Sequence, residues 1–347
     1  MCIRDRSKAF IDLEVLGFSP DDLKTLASIL TRPQGIILVT GPTGSGKSTT
    51  LYASLNRLKS EVINIVTVED PVEYQLPGIN QVQVNEKAGI TFASGLRSIL
   101  RQDPNVVMVG EIRDAETAKI AFQAANTGHL VLTTLHTNDA SAAVTRLVDL
   151  GVDPYVIASS LLCVLAQRLV RKNCPHCTVV EKVNKTLLTR LGISGGNKNL
   201  KKIKKGQGCE ACQFSGYLGR LGIYEMLMVD NDLRKLIVQG AADTEIADNA
   251  RERGIKDLFG DCRDKLFQGA TTVEELMRVA PPPEREGYEP AMEQVPVEAP
   301  VEKIAEDPAE KTAEALGAQL RVLAVDDDPF IRKMLQKVLT EAQYDVV

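Results

Sequence analysis

The chain has 347 residues, with 41 Lys+Arg against 46 Asp+Glu, 7 Cys and no Trp; at 44% hydrophobic and 25% charged it has the composition of a soluble globular protein, long enough for one large domain or two ordinary ones. The longest nearly apolar run, 155–166, is too short to span a bilayer, and nothing apolar of useful length follows Arg4 and Arg6 as a signal peptide requires, so membrane-spanning and secreted readings are set aside. Charge is uneven: residues 281–316 carry −7 and 317–347 carry −1, which leaves +3 on 1–280, and neither that near-neutral body nor 4% aromatic content suits a dedicated nucleic-acid binder.

In chain order, MCIRDR (1–6) resembles translated adapter sequence and is expected to be an artefact at the head of a remnant, 1–30, of a preceding domain or linker. Residues 12–30 read as a helical lead-in, with Leu23, Leu26, Ile29 and Leu30 at helical spacing. From 31 to 280, apolar runs at 36–39, 63–66, 106–109 and 130–132 alternate with helical stretches. That pattern predicts an α/β domain, a mostly parallel sheet covered by helices. Pro281, Pro282 and Pro283 then stop the last helix, and the Pro- and Glu-rich stretch 281–319 is expected to be a disordered linker. After it, 322–325 reads as a buried strand. Asp328 reads as a cap with Pro329 at the first helical position, and Ile331, Met334, Leu335 and Val338 share one helix face.

Chemistry concentrates first at Gly41-Pro42-Thr43-Gly44-Ser45-Gly46-Lys47-Ser48-Thr49, between the run 36–39 and a helical stretch. This is GxxxxGK[ST] in the strand–loop–helix context that separates a phosphate-binding loop from a plain Gly-rich turn. Backbone N–H groups would curl around the β-phosphate of ATP, Lys47 would reach the β/γ oxygens, and the Ser48 hydroxyl would ligate Mg²⁺. Two groups of acids could serve the metal and the attacking water. One is Glu111, at the end of 107–109, with Gly110 where many such enzymes carry Asp; the other is Glu69-Asp70, although Asp70 before Pro71 also reads as a turn residue. His129 and His136 flank the run 130–132 as candidate γ-phosphate sensors, or else as core histidines.

The second concentration is Cys174/Cys177 and Cys209/Cys212, two CxxC pairs that suit tetrahedral Zn²⁺; four reduced thiols are the alternative, and a disulfide is disfavoured in a cytosolic protein. Cys163, Cys262 and Cys2 read as incidental: core, surface and artefact respectively. Lys198, Lys201, Lys202, Lys204 and Lys205 form the one basic cluster, either a solvated loop face or a contact for anionic headgroups or an acidic partner.

Together, GPTGSGKSTT (41–50), VEDPVEYQLPGINQVQVN (68–85), LRSILRQDPNVVMVGEIRD (96–114) and TGHLVLTTLHTNDA (127–140) resemble the type II secretion / type IV pilus assembly ATPase family over about residues 16–280. The resemblance implies a RecA-type P-loop NTPase whose Walker A, Asp box, atypical Walker B and His box are those four segments. It implies Glu111 serving Mg²⁺ or its water and Glu69 as a candidate general base. Arg97, Arg101 and Arg113 become candidates for stabilising charge between subunits, with a solvated helix face the alternative for Arg97. It further implies a tetracysteine zinc subdomain within 168–217, carried by assembly-type members and generally absent from retraction relatives. The implied whole is a homo-hexameric, cytoplasmic motor, peripheral at the inner membrane on platform proteins, that hydrolyses ATP to drive pseudopilin or pilin assembly. Turnover is expected to need oligomerisation and to be weak without the family's preceding domain. Residues 320–347 resemble the opening of a doubly wound response-regulator receiver domain, with Asp326 and Asp327 as its Mg²⁺-binding acids and the phosphoacceptor strand absent. Two other readings stay open: a nucleic-acid motor of the same fold, and a nucleotide-dependent switch or docking module in a two-component signalling fusion.

Overall fold

The structure, a computed structural model, describes residues 12–181, 183 and 203–282, and the backbone of 321–322 and 345–346. It divides into two compact units, Met1–Glu284 and Arg285–Val347. The strands of the first unit are β1 (Gly35–Thr40), β2 (Ile65–Glu69), β3 (Asn80–Gln83), β4 (Val106–Val109), β5 (Leu130–Leu135), β6 (Leu161–Asn173), β7 (Thr178–Val180), β8 (Lys204–Gly206) and β9 (Tyr217–Met228). Seven of these form one sheet in the order β3-β2-β4-β5-β1-β6-β9. All neighbours in it are parallel except β9, which runs antiparallel to β6 over most of their length. β7 and β8 pair separately, antiparallel, beyond the end of β6.

The central strands read as unbroken aliphatic runs because both sheet faces are covered. Every residue of β1, β2, β4 and β5 is buried. Side chains alternate between the two faces. Ile36, Leu38, Val66, Val68, Val107 and Val109 pack on one side with Phe92 and Leu96 of α3 (Phe92–Ile99) and Phe122 of α4 (Ala115–Asn126). Ile37, Val39, Ile65, Met108 and Leu132 pack on the other, with Leu26 and Ile29 of α1 (Pro20–Leu30) and Leu51 and Leu55 of α2 (Lys47–Leu58). The remaining helices among the described residues are α5 (Ala140–Asp149), α6 (Pro154–Ser160), α7 (Asn231–Gln239), α8 (Asp243–Glu252), α9 (Leu258–Phe267) and α10 (Val273–Val279). Ser19, Thr91, Asp114, Asp139, Asp230, Asp257 and Thr272 each accept a backbone N–H at a helix start, worth about 1 kcal/mol apiece.

One element departs from the sequence expectation. The run 63–66 starts its strand only at Ile65: Asn64 is tied instead to the segment leading into β4, its N–H donating to Asn105 Oδ1 (2.7 Å) and its side-chain amide to Gln102 O. The apolar run 155–166 is split, with α6 ending at Ser160 and β6 beginning at Leu161. In the lead-in, Leu13–Val15 forms a 3₁₀ turn and Phe18 stacks on Tyr224 with ring centroids 3.8 Å apart. Gly17 has φ +97°, and a Cβ there would lie 2.6 Å from Leu221 Cδ1, so only glycine lets the chain pass.

In the second unit, β10 (Arg321–Val322) and β11 (Asp345–Val346) pair in parallel. The expected linker beyond Pro282, the acids Asp326, Asp327 and Asp328, residues 1–6, and Lys198, Lys201 and Lys202 lie outside the described residues. Among the described residues, no helix is long and apolar enough to cross a membrane.

Candidate functional site

Parallel strands bring their C-terminal ends to one edge of the sheet, where α/β folds place ligand sites. β1 runs there into the loop 41–46, β2 ends at Glu69, β4 is followed by Glu111, and β5 by His136. A cavity of about 720 Å³ opens at this edge, lined by Thr43–Thr49 together with Tyr52, Glu69, Glu111, Arg113, His136 and Arg220.

The loop takes its shape from glycine. Gly41, Gly44 and Gly46 have φ of +145°, +78° and +91°, a region that side chains rarely adopt. A Cβ on Gly41 would run into the backbone carbonyl of Gln167, whereas one on Gly44 would meet nothing within 4 Å, because that residue faces the open cavity. Gly46 also caps α2 and offers no side-chain acceptor, so the first N–H groups of α2 point at the cavity without a competing oxygen. Ser45 Oγ is buried and has no partner among the described residues. Lys47 Nζ donates to Gly41 O (2.8 Å) and Pro42 O (3.1 Å) and lies 3.5 Å from His136 Nδ1. Burial pushes its pKa down, and Glu111 opposes that shift. Ser48 is exposed on the first turn. Loop shape, free N–H groups, an orphaned hydroxyl and a buried ammonium fit a polyphosphate.

Both acids are gripped. Glu111 has its side chain 14% exposed, pairs with Arg113 Nε through Oε1 and lies 2.8 Å from His136 Nε2 through Oε2. Arg113 also reaches Asp70 Oδ2 at 3.4 Å and sits over the Phe92 ring. Glu69, buried, accepts from Tyr52 OH and Thr67 Oγ1, and from Gln81 Nε2 at 3.0 Å. Burial first, then the bond to Glu69, pushes the Tyr52 phenol well above its ordinary range.

The structure thus brings Lys47, Ser48, Glu69, Glu111, Arg113 and His136 together. His129 does not join them. It precedes β5 at the opposite end of the strand from His136, and its Nδ1 lies 2.9 Å from Ala124 O at the end of α4. Arg97 pairs with Glu116, away from the cavity, and Arg101 is exposed. Sequence reasoning missed Tyr52, which lines the cavity from α2, Arg220, which lines it from β9, and Gln167, which backs the loop from β6. The spacing of Tyr52 from Lys47 on one helix was the sole available signal.

The four cysteines Cys174, Cys177, Cys209 and Cys212 hold their Sγ atoms within 4.8 Å of one another. Individual edges are 3.8 Å (174–209), 3.9 Å (177–212) and 3.8 Å (209–212). A tetrahedron with Zn–S of about 2.3 Å has edges of about 3.8 Å, so the cage fits zinc. Amide N–H groups of Cys209 (3.2 Å) and Gly216 (3.3 Å) point at Cys212 Sγ, and Gly208 N–H points at Cys177 Sγ (3.3 Å), as thiolates require. Elsewhere, Cys163 is buried as expected, but Cys262 is also fully buried, against its surface reading, because it faces inward from α9.

The chain matches the type II/IV secretion system protein family over residues 1–278. It is 51% identical to the type II secretion system protein HxcR of Pseudomonas aeruginosa over 279 residues, covering 80% of this chain and 55% of that one. It is 52% identical over 266 residues to the type IV pilus assembly ATPase PilB of Thermus thermophilus, covering 77% of this chain and 30% of that one. Against the type II secretion system protein E of Dickeya dadantii it is 51% identical over 275 residues, covering 79% and 54%. The chain therefore spans about half the length of HxcR and protein E. Among solved structures it resembles the pilus retraction motor PilT, solved with bound ADP, with a TM-score of 0.59 and 31% identity over 81% of this chain and 70% of that one. The fold is shared as well by the Legionella pneumophila ATPase DotB, with a TM-score of 0.57 and 23% identity over 78% of this chain and 65% of that one. Its cavity and its cysteine cage lie on a chain that belongs to the type II/IV secretion system protein family.

Proposed function

We propose that this chain is the ATP-hydrolysing part of a motor for type II protein secretion or type IV pilus assembly, of RecA-type fold. The observation that carries the reading is the convergence in one cavity of the loop N–H groups, Lys47, Ser48, Glu111 and His136. In this reading the N–H groups of 43–49 hold the β-phosphate and Lys47 exchanges its carbonyl partners for β/γ oxygens. Ser48 and Glu111 would hold Mg²⁺ or its water, and the ion would supply charge neutralisation for the phosphates when bound. Glu69 is the general base; with Tyr52, Thr67 and Gln81 all donating to it, it exchanges one of those donors for the attacking water. Arg113 stabilises charge in its own or a neighbouring subunit, and His136 relates Lys47 to Glu111.

Cys174, Cys177, Cys209 and Cys212 hold Zn²⁺ as a structural lock. The working form is a homo-hexamer, cytoplasmic and peripheral at the inner membrane, docked on platform proteins. The parallel pair β10–β11 supports 320–347 as the opening of a receiver-type unit.

Phosphate release per chain, measured against protein concentration with Mg²⁺ and zinc present, tests the reading. It should rise steeply with concentration and vanish in Glu111→Gln and Lys47→Ala. Turnover that survives in Lys47→Ala would place hydrolysis elsewhere.

A further inference from the structure

The phosphate-binding loop is moulded around one side chain from a distant strand. Gln167 lies in β6, beside β1 in the sheet, and its amide uses both ends on the loop and its helix. Gln167 Nε2 donates to Ser45 O at 2.9 Å, and Gln167 Oε1 accepts from Thr50 Oγ1 at 2.7 Å. Neither Gln167 nor Thr50 lines the cavity, and they are 2% and 1% exposed. The glycines point the same way: a Cβ on Gly46 would lie 2.8 Å from Gln167 Nε2, and one on Gly41 would strike Gln167 O. A side chain at Gly46 would thus displace the Gln167 amide, and one at Gly41 would strike the backbone carbonyl of the same residue.

Holding Ser45 O from behind fixes the peptide that joins Ser45 to Gly46, and with it the direction of the Gly46 N–H. Holding Thr50 fixes the first turn of α2, whose N–H groups complete the cradle. We infer that Gln167 is a positioning residue for phosphate binding, presenting the loop N–H groups in the geometry that grips the β-phosphate. This rests on the proposed nucleotide reading. Because the β-phosphate is gripped in substrate, transition state and ADP alike, the loss of Gln167 raises KM and the ADP Kd together and leaves kcat nearly untouched.

The experiment is titration of a fluorescent ADP analogue with Mg²⁺ into the whole chain, for wild type, Gln167→Met, Gln167→Glu and Thr50→Val, from pH 5.5 to 8.5, with thermal midpoints recorded for each. Gln167→Met removes both bonds at similar volume and should weaken ADP about tenfold; Thr50→Val removes one and should weaken it about threefold. Gln167→Glu is the discriminating variant. Ionised, it keeps the acceptor for Thr50 but sets a carboxylate against Ser45 O; protonated, it regains a donor. Its affinity should fall at least tenfold at pH 8.5 and recover toward wild type at pH 5.5, while wild type and Gln167→Met show no such recovery. The facing Tyr224 on β9 does not supply this profile, since burial pushes its phenol far above the range tested. Variants that bind ADP within twofold of wild type at every pH would overturn the inference. So would equal losses in all three that follow their thermal midpoints and ignore pH, which would be a packing effect. Should wild type itself fail to bind the analogue, the nucleotide reading falls; a wild type that binds beside unaffected variants sinks only the role of Gln167.

Discussion

His136 Nε2 lies 2.8 Å from Glu111 Oε2, tying the end of β5 to the end of β4. The other ring nitrogen faces Lys47 Nζ at 3.5 Å. An ammonium can only donate, so Nδ1 is the acceptor and Nε2 carries the hydrogen given to Glu111; a neutral imidazole satisfies both neighbours. Loop, sensor and acid then act as one unit, and their mutational effects should not add. Glu111→Gln is expected to lower kcat about 100-fold or more and leave ADP affinity within a few-fold. His136→Ala should lower kcat by about tenfold or more, and the double variant should be no worse than Glu111→Gln alone. Phosphate-release rates that multiply in the double variant would show that the two residues act separately.

Tyr52 offers a test of Glu69. Its hydroxyl donates to a carboxylate buried at the end of β2, and its ring meets Tyr74 edge-on at 4.6 Å. Tyr52→Phe keeps the ring and removes the donor, leaving a buried acceptor short of one bond at a cost of about 1–2 kcal/mol. If Glu69 handles the proton, the unfolding midpoint drops and kcat falls about tenfold while ADP affinity holds. A midpoint that drops with kcat per folded chain unchanged would reduce Glu69 to a structural acid.

For the cysteine cage, metal analysis of protein purified without chelator should give about one zinc per chain, falling to near zero in Cys174→Ser/Cys212→Ser. Removal of the metal should expose the cysteine loops 174–177 and 207–216 to limited proteolysis and leave the parallel sheet intact, since the module is an excursion between β6 and β9 and no strand of that sheet lies within it. Identical cleavage with and without chelator would argue for four plain thiols.

Acid should unfasten α10 from β6. Glu275, 0% exposed, accepts from the Arg171 N–H (2.8 Å), Arg171 Nε (2.9 Å) and Arg278 Nη2 (2.8 Å). Burial alone would push its pKa up, but those donors outweigh it and hold the carboxyl down to about 2. With the unfolded value near 4.3, the unfolded chain binds more protons between the two, so the stabilisation is whole above about pH 4.3 and lost as pH falls toward 2. Glu275→Gln should therefore cost about 2 kcal/mol at pH 7 and almost nothing near pH 2. Denaturant titrations at both pH values decide it; a constant gap would remove ionisation from the explanation.

What could be read along the chain was whatever carries its own backbone demands. Gly41–Lys47 after an aliphatic run, an acid at the end of 107–109 and paired CxxC spacings are local; the loop and Glu111 line one cavity, and the four sulfurs lie within 4.8 Å of one another. Gln167 and Arg220 depend instead on which strands become neighbours, and nothing near 155–166 reveals that a helix stops at Ser160 and a strand passing beside β1 starts one residue later. His129 and His136 look alike from either side of one apolar run; strand direction separates them, because only the C-terminal end of β5 meets the loop. Cys262 hid for a related reason: its charged neighbours Asp261 and Lys265 suggest a solvated face, yet both are buried and paired with each other on the same inward side of α9.

Glu225 makes the opposite pH prediction. It lies on β9 at a second cavity, of about 280 Å³, between the starts of two helices, accepting the Ala140 N–H of α5 at 3.3 Å and that of Leu258 of α9. Burial, then the nearby Asp139, pushes its carboxyl up to about 7, and the two N–H groups only partly offset this. Here the folded chain binds the extra proton between about pH 4.3 and 7, so stability is greatest at the acid end of that window and declines as pH rises through 7. Glu225→Gln keeps an acceptor for both helix starts and removes the charge. It should match wild type near pH 4.5 and exceed it by on the order of 1–2 kcal/mol at pH 8. A variant less stable than wild type at pH 8 would mean that the ionised carboxylate, facing Arg168 across the cavity, is a net stabiliser and that burial does not dominate its energetics.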